Sequence, residues 1–141
     1  MDVLDEARRW LEEAKYDLQT ATDVLKAGRY NWACFIAQQA AEKAVKSLHI
    51  ARGEDVEHTH SVTILIAGDE RRGVSSLEAM RPVLTEAQEL DGHYIPSRYP
   101  NSVPFGQPYE FYNEEKGERC VTYAQRIVEA AQTSLRRSSV G

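Results

Sequence analysis

Apolar side chains at Leu4, Ala7, Leu11, Ala14, Leu18, Ala21 and Leu25 follow one another in steps of three and four without a miss. Only an α-helix brings such positions to one face, so the run predicts a helix with one apolar stripe and a charged opposite side. Gly28 follows the stripe and suits the left-handed backbone that ends helices. A second periodic run starts near Tyr30 or Asn31, with Trp32, Phe35, Ile36, Ala40, Ala44, Val45 and Leu48 on its apolar face, and stops at Gly53. So short a link forces an antiparallel helical hairpin. Ala33, Ala37, Ala40, Ala41 and Ala44 let neighbours approach closely, which places the second helix at the centre of the fold.

The rest of the chain extends the pattern. Residues 53–60 read as a polar loop, and Ser61 is placed to cap a short helix from Val62 to Ala67. Ser75 and Glu78 have capping-box spacing, predicting a fourth helix with Leu77, Met80, Leu84, Ala87 and Leu90 inward and Pro82 starting or kinking its regular part. Asn113 caps a last helix that turns Cys120, Ala124, Ile127, Ala131 and Leu135 inward. No useful length alternates with period two. The fold class is therefore all-α, an up-and-down bundle of four long helices and one short one. At 141 residues the chain is one domain, read as 1–137 with a frayed tail at 138–141.

Composition narrows the function. A net charge of −5 excludes a general polyanion binder acting by bulk charge but leaves room for a local basic site. Residues 29–52 carry Arg29, Lys43, Lys46 and Arg52 against Glu42 alone, and either a phosphate site or a solvated helix face would use them. No segment approaches a membrane span, and the acidic N-terminus lacks the features of an export signal. Cys34 and Cys120 are accordingly read as reduced, cytosolic core residues, and the localisation as cytoplasmic.

One segment does not read as scaffold. Residues 94–112 hold four of the five prolines and six of the twelve aromatics. Prolines at that density forbid a helix, while the aromatics argue against a free linker. Arg98 sits among them, and an arginine among tyrosines suits a phosphate with a base stacked beside it. The competing reading has the aromatics packed on the bundle or a second subunit, with Arg98 paired to a carboxylate.

Other chemistry is sparse. Glu57 and His60 have the spacing of one half of a di-iron carboxylate motif, but the second half is missing and the pair lies in a loop. No nucleophile elbow, phosphate loop or Cys-x-x-Cys pair occurs, so neither a metal nor a cofactor is expected. On the second helix, Glu42 and Lys46 are spaced as an ordinary helix-supporting pair. Gln38, Gln39 and Lys43 are candidates for a dimer contact or a ligand contact.

These blocks together carry a family resemblance. Ala14-Lys15-Tyr16-Asp17-Leu18-Gln19-Thr20-Ala21, Gly28-Arg29-Tyr30-Asn31-Trp32-Ala33-Cys34-Phe35, Gln38-Gln39-Ala40-Ala41-Glu42-Lys43-Ala44-Val45-Lys46-Ser47-Leu48, His60-Ser61-Val62 and Tyr94-Ile95-Pro96-Ser97-Arg98-Tyr99-Pro100 occur in the order seen in HEPN domains. The chain resembles that family from about residue 7 to residue 135.

The resemblance implies a helical bundle that commonly forms homodimers, often paired with a minimal nucleotidyltransferase in toxin–antitoxin-like systems. Some members are metal-independent ribonucleases carrying an Arg, four to six residues, then a His, with two subunits sharing one site. This chain departs from that motif, because no histidine follows His93. Arg52 and His58 match the spacing only after the second helix, away from the motif's place. The Gln-Gln-Ala-Ala-Glu-Lys and Arg-Tyr-Pro blocks look like the branch proposed to bind nucleotides. The expectation is a non-catalytic homodimeric module for a nucleotide or a nucleotidyltransferase partner, with Arg98, Tyr99, Tyr94, Lys43 and Gln39 as ligand-binding residues. The alternatives are a ribonuclease that brings His60 or His93 to Arg98 in space, with RNA as substrate, and a purely structural adaptor.

Overall fold

The structure, a computed structural model, describes residues 2–140, with side chains through Ser138. Helix α1 spans Val3–Lys26 and is opened by a reciprocal capping box between Asp2 and Asp5. Its stripe buries Ala7, Leu11, Ala14 and Ala21. Gly28 has φ +78°, and α2 follows at once over Tyr30–Ala51, antiparallel to α1. Ala33, Ala37, Ala40, Ala41 and Ala44 are all fully buried, so α2 is the central helix, covered by α1 on one side and by the last helix on another. Its first turn differs from expectation. Trp32 is 46% exposed and lies outside the core, while Ala33 and Cys34 beside it are fully buried.

Helix α3 is Val62–Ala67, with the Ser61 hydroxyl accepting from the Ile64 amide at 3.1 Å. The fourth helix departs from the sequence reading. Residues Glu78–Val83 form a 3₁₀ segment, and the α-helix proper, α4, is only Leu84–Asp91. Pro82 explains this, since it lacks an amide proton and its ring crowds the preceding turn. The Ser75–Glu78 capping box does not form either. Ser75 donates instead to Glu54 at 2.7 Å, and Glu78 pairs with Arg81. The inward set still holds: Leu77, Met80, Ala87 and Leu90 are buried.

The proline-rich stretch makes two 3₁₀ turns, Pro100–Ser102 and Pro108–Phe111, and no α-helix. Helix α5 runs Glu114–Val140, with Asn113 accepting from the Lys116 amide at 2.9 Å. Gly141 lies outside the described residues. Among the described residues the extended pairing is a single bridge between Asp69 and Val74, and no helix is long and apolar enough to cross a membrane. The molecule is an all-α bundle in which α4 and the loop after it lie across one end of the α2–α5 pair.

Candidate functional site

A polar column runs along the inner side of α2. Gln38 is fully buried, and its side-chain nitrogen donates to the His60 carbonyl at 3.0 Å and to Asp91 Oδ1 at 3.2 Å. Asp91 ends α4 and also accepts from the Ser61 hydroxyl at 2.8 Å and from the Val62 and Thr63 amides at 2.9 and 2.8 Å. A carboxylate at those two amides answers orphan donors at the start of α3. Gln39 donates to Gln38 Oε1 at 2.7 Å and, more weakly, to Glu42. Glu42 then pairs with Lys46 at 3.1 Å, with both side chains under 10% exposed. This column joins α2, α3 and α4, and it holds the segment that carries His60.

His60 directs Nδ1 at Glu42 Oε2, 3.3 Å away, and its ring stacks on Tyr94, with centroids 6.2 Å apart and planes inclined by 10°. Tyr94 also leans on Phe35 at 6.1 Å. Arg98 completes the group. Its Cζ lies 4.0 Å from the Phe35 ring centre, 4.8 Å from that of Tyr99 and 5.0 Å from that of Tyr94. Nε and Nη2 both donate to the Tyr94 carbonyl at 3.0 and 2.8 Å, and Nη1 donates to the Tyr99 hydroxyl at 3.3 Å. No carboxylate pairs with Arg98 among the described residues, so the predicted alternative of an ordinary ion pair is not what the fold makes. A guanidinium carries five N–H donors, and these three bonds leave two for an incoming acceptor. The rings around it give the cation a face while the outward edge stays wet.

The other expected residues lie elsewhere. Lys43 is bound to Asp17 of α1 at 2.7 Å and lines a groove with Glu6, Trp10 and Glu13. His93 lies at the end of α4 with Nδ1 on the Tyr112 hydroxyl at 2.7 Å and Nε2 on Glu89 at 3.3 Å. Burial disfavours its imidazolium, yet its hydrogen bonds to Cys120 and Glu89, with their charges, outweigh that and raise its pKa. Both ring nitrogens are thereby engaged away from Arg98. His60, through the shared Tyr94, is the histidine that joins the arginine cluster. Glu57 contributes its backbone carbonyl to Lys46 at 3.1 Å. Arg52, the arginine that has a histidine at ribonuclease spacing, is held by Ser75 and Ser76.

Phe35 is the participant that sequence reasoning assigned to the core. It occurs within an apolar period, and nothing local marks it as the platform for an arginine some sixty residues later. Trp32 meets Phe35 edge-on at 5.8 Å and is exposed, as are Ile95, Tyr99, Phe105 and Tyr109. Arg98 thus sits beside exposed Tyr99 and, through Phe35, near exposed Trp32, the kind of side chain that dominates binding surfaces.

Comparison with known proteins agrees with this architecture. The chain is 27% identical over 136 residues to a Methanocaldococcus jannaschii protein named "Putative toxin MJ1304", covering 92% of this chain and 88% of that one. TT1696 from Thermus thermophilus superposes with a TM-score of 0.78 at 39% identity, over 90% of this chain and 96% of its own. ST0689, described as an archaeal HEPN homologue, gives 0.73 at 33% identity, over 92% and 97%. A HEPN domain protein of Thermotoga maritima gives 0.67 at 33% identity, over 92% and 98%. The family model for the HEPN domain matches residues 7–134, and the chain therefore belongs to the HEPN family.

Proposed function

We propose that this chain is a HEPN module of a toxin–antitoxin-like pair whose Arg98 cluster binds the phosphate of a nucleotide, with Tyr99 or Tyr94 beside the base. The observation that carries the reading is a half-buried guanidinium that lacks a carboxylate, keeps two donors and is framed by three aromatic rings. A phosphate oxygen accepts from such a fork in bidentate fashion, and the exposed ring of Tyr99 offers a stacking face. The toxin-named relative supports the system-level reading, and the module acts as a homodimer that meets a nucleotidyltransferase through the exposed aromatic set around Trp32 and Tyr99.

Calorimetry with ATP and GTP at millimolar concentration tests the site. Saturable heat that disappears in Arg98→Ala, with an unchanged circular dichroism spectrum, is the expected result. No heat from either nucleotide sinks the nucleotide reading. Light scattering of the purified chain tests the dimer, and a monomeric mass at micromolar concentration refutes it.

A second reading has one observation in its favour. His60, stacked on Tyr94, puts a proton-transfer group in the cluster of the phosphate-binding arginine, which is the pairing a metal-independent ribonuclease requires. RNA incubated in EDTA decides between them. Intact RNA supports the binding module, whereas cleavage lost in both Arg98→Ala and His60→Ala supports the nuclease.

A further inference from the structure

Two cysteines far apart in sequence and one histidine meet inside the bundle. Cys34 lies in the second turn of α2, Cys120 in the second turn of α5, and His93 follows α4. One ligating atom from each lies within 4.8 Å of the other two. Both thiols are fully buried, and the imidazole is 13% exposed. We propose that Cys34, Cys120 and His93 form a structural site for a thiophilic divalent cation of the Zn²⁺ class, with the Tyr112 hydroxyl as the fourth group.

The donor set matches that chemistry. Two thiolates and one imidazole are donors that Zn²⁺ favours, and a closed structural site needs a fourth ligand to complete the tetrahedron. A tetrahedral ion with its usual bond lengths holds such atoms about 3.5–3.8 Å apart, so the three must close by no more than about 1 Å. That is within reach of small side-chain rotations. The surroundings already resemble those of a ligating histidine. Tyr112 stands 2.7 Å from Nδ1 and Glu89 3.3 Å from Nε2, so with Nδ1 on the ion the hydroxyl would face the fourth position and Nε2 would stay held by Glu89. Glu89 is itself fixed by Arg119 at 3.4 Å. The Cys34 thiol donates to the Lys116 carbonyl at 3.5 Å, a weak sulfur hydrogen bond that ligation would give up.

The neighbouring Cys34 and burial push the Cys120 thiol far above its ordinary value, against a smaller pull from His93. A thiol ligates as its thiolate, so the ion and two thiols give a dithiolate complex and two protons in solution. No oxidant or reductant is consumed. The charged and titratable groups facing the site are Glu89, Arg119 and Tyr112, while the Lys116 ammonium donates to the Phe111 carbonyl.

The location gives the site a use. His93 immediately precedes residues 94–112 and Tyr112 closes them, so the ion would pin both ends of the segment that carries Arg98. It would lock the base of the aromatic loop to α2 and α5. The inference rests on the fold alone and stands or falls apart from nucleotide binding.

Cobalt is the probe, titrated into the reduced full-length protein and then displaced with Zn²⁺. The expected result is one Co²⁺ per chain, a thiolate-to-cobalt charge-transfer band, visible bands of tetrahedral intensity, and two protons released per ion. Cys120→Ala and Cys34→Ala, each verified as folded by circular dichroism, should bind at least tenfold more weakly and lose the charge-transfer band, while His60→Ala should bind as the parent does. Proteolysis of the 94–112 loop should slow when Zn²⁺ is present. Absence of saturable binding by the parent protein overturns the proposal whatever the variants do. So does binding that survives Cys120→Ala, or a reduced protein that spontaneously forms a Cys34–Cys120 disulfide in place of binding the ion.

Discussion

Removing the Lys46 ammonium should cost far more than the usual helix-surface pair, because this pair is inside the protein. Lys46 and Glu42 are 3% and 7% exposed and 3.1 Å apart. Lys46 also donates to the Glu57 carbonyl at 3.1 Å and lies 5.8 Å from the centre of the Trp10 ring. Lys46→Met keeps the length of the stem and deletes the charge. Glu42 is then a buried carboxylate left with a long contact from Gln39 and one from His60 at 3.3 Å. Stranding a buried charge costs about 3–5 kcal/mol. His60 is half exposed and can offset part of this, which puts the expected loss near 3 kcal/mol. Glu42→Gln strands an ammonium that retains a carbonyl and a ring face, for a loss of about 2 kcal/mol.

The double variant removes both charges and should fall within about 1 kcal/mol of the parent, giving a coupling of at least about 4 kcal/mol. Urea unfolding at one fixed protein concentration, followed by far-ultraviolet circular dichroism, measures all four. With a slope of about 2 kcal/mol per molar, the Lys46→Met midpoint should drop by about 1.5 M. A single-variant loss below about 1 kcal/mol refutes the argument, as does a double variant that costs the sum of its parts.

Gly68 combines φ +86° and ψ 160° with a position where a Cβ would lie 2.9 Å from the Ser76 backbone nitrogen, whereas Gly53 has φ +78° and open space. Gly68→Ala should therefore lower stability by more than about 3 kcal/mol and Gly53→Ala by about 1 kcal/mol, compared by thermal melts. Equal losses at the two positions would contradict this. Burial works against the Glu54 carboxylate, but hydrogen bonds from Ser75 and His49, with the charges of His49 and Arg52, hold its pKa below the usual value of 4.5. Its contribution is thus fully present above that value and disappears as pH falls through the folded-state pKa. The stability gap between parent and Glu54→Gln should shrink on acidification in paired urea titrations; a gap that widens refutes the assignment.

The fold was legible where periodicity was long. The stripe from Leu4 to Leu25 and the alanines of α2 dictated the hairpin, and Ser61 and Asn113 cap the helices expected of them. Pro82 was read as starting or kinking a helix, but how much of that helix it converts to 3₁₀ depends on packing that no local pattern reports. The pair Glu42–Lys46 has the spacing of a surface pair, and only the crowding of a central helix buries it. At the site, the proline and aromatic density singled out Arg98, Tyr94 and Tyr99 correctly as neighbours. Phe35 and the meeting of Cys34 with Cys120 are products of tertiary folding. Each residue taken alone reads as core, and the interest lies in which others it meets.

The central claim is that Arg98 is kept available for a phosphate while Lys43 is bound to Asp17. Side-chain NMR of the arginine Nε–Hε and lysine groups during an ATP titration in EDTA tests this directly. The account predicts saturable shifts at Arg98 and at the Tyr94 and Tyr99 rings, with Lys43 unmoved. Shifts confined to Lys43 and its groove, or no shift at millimolar ATP, would contradict it.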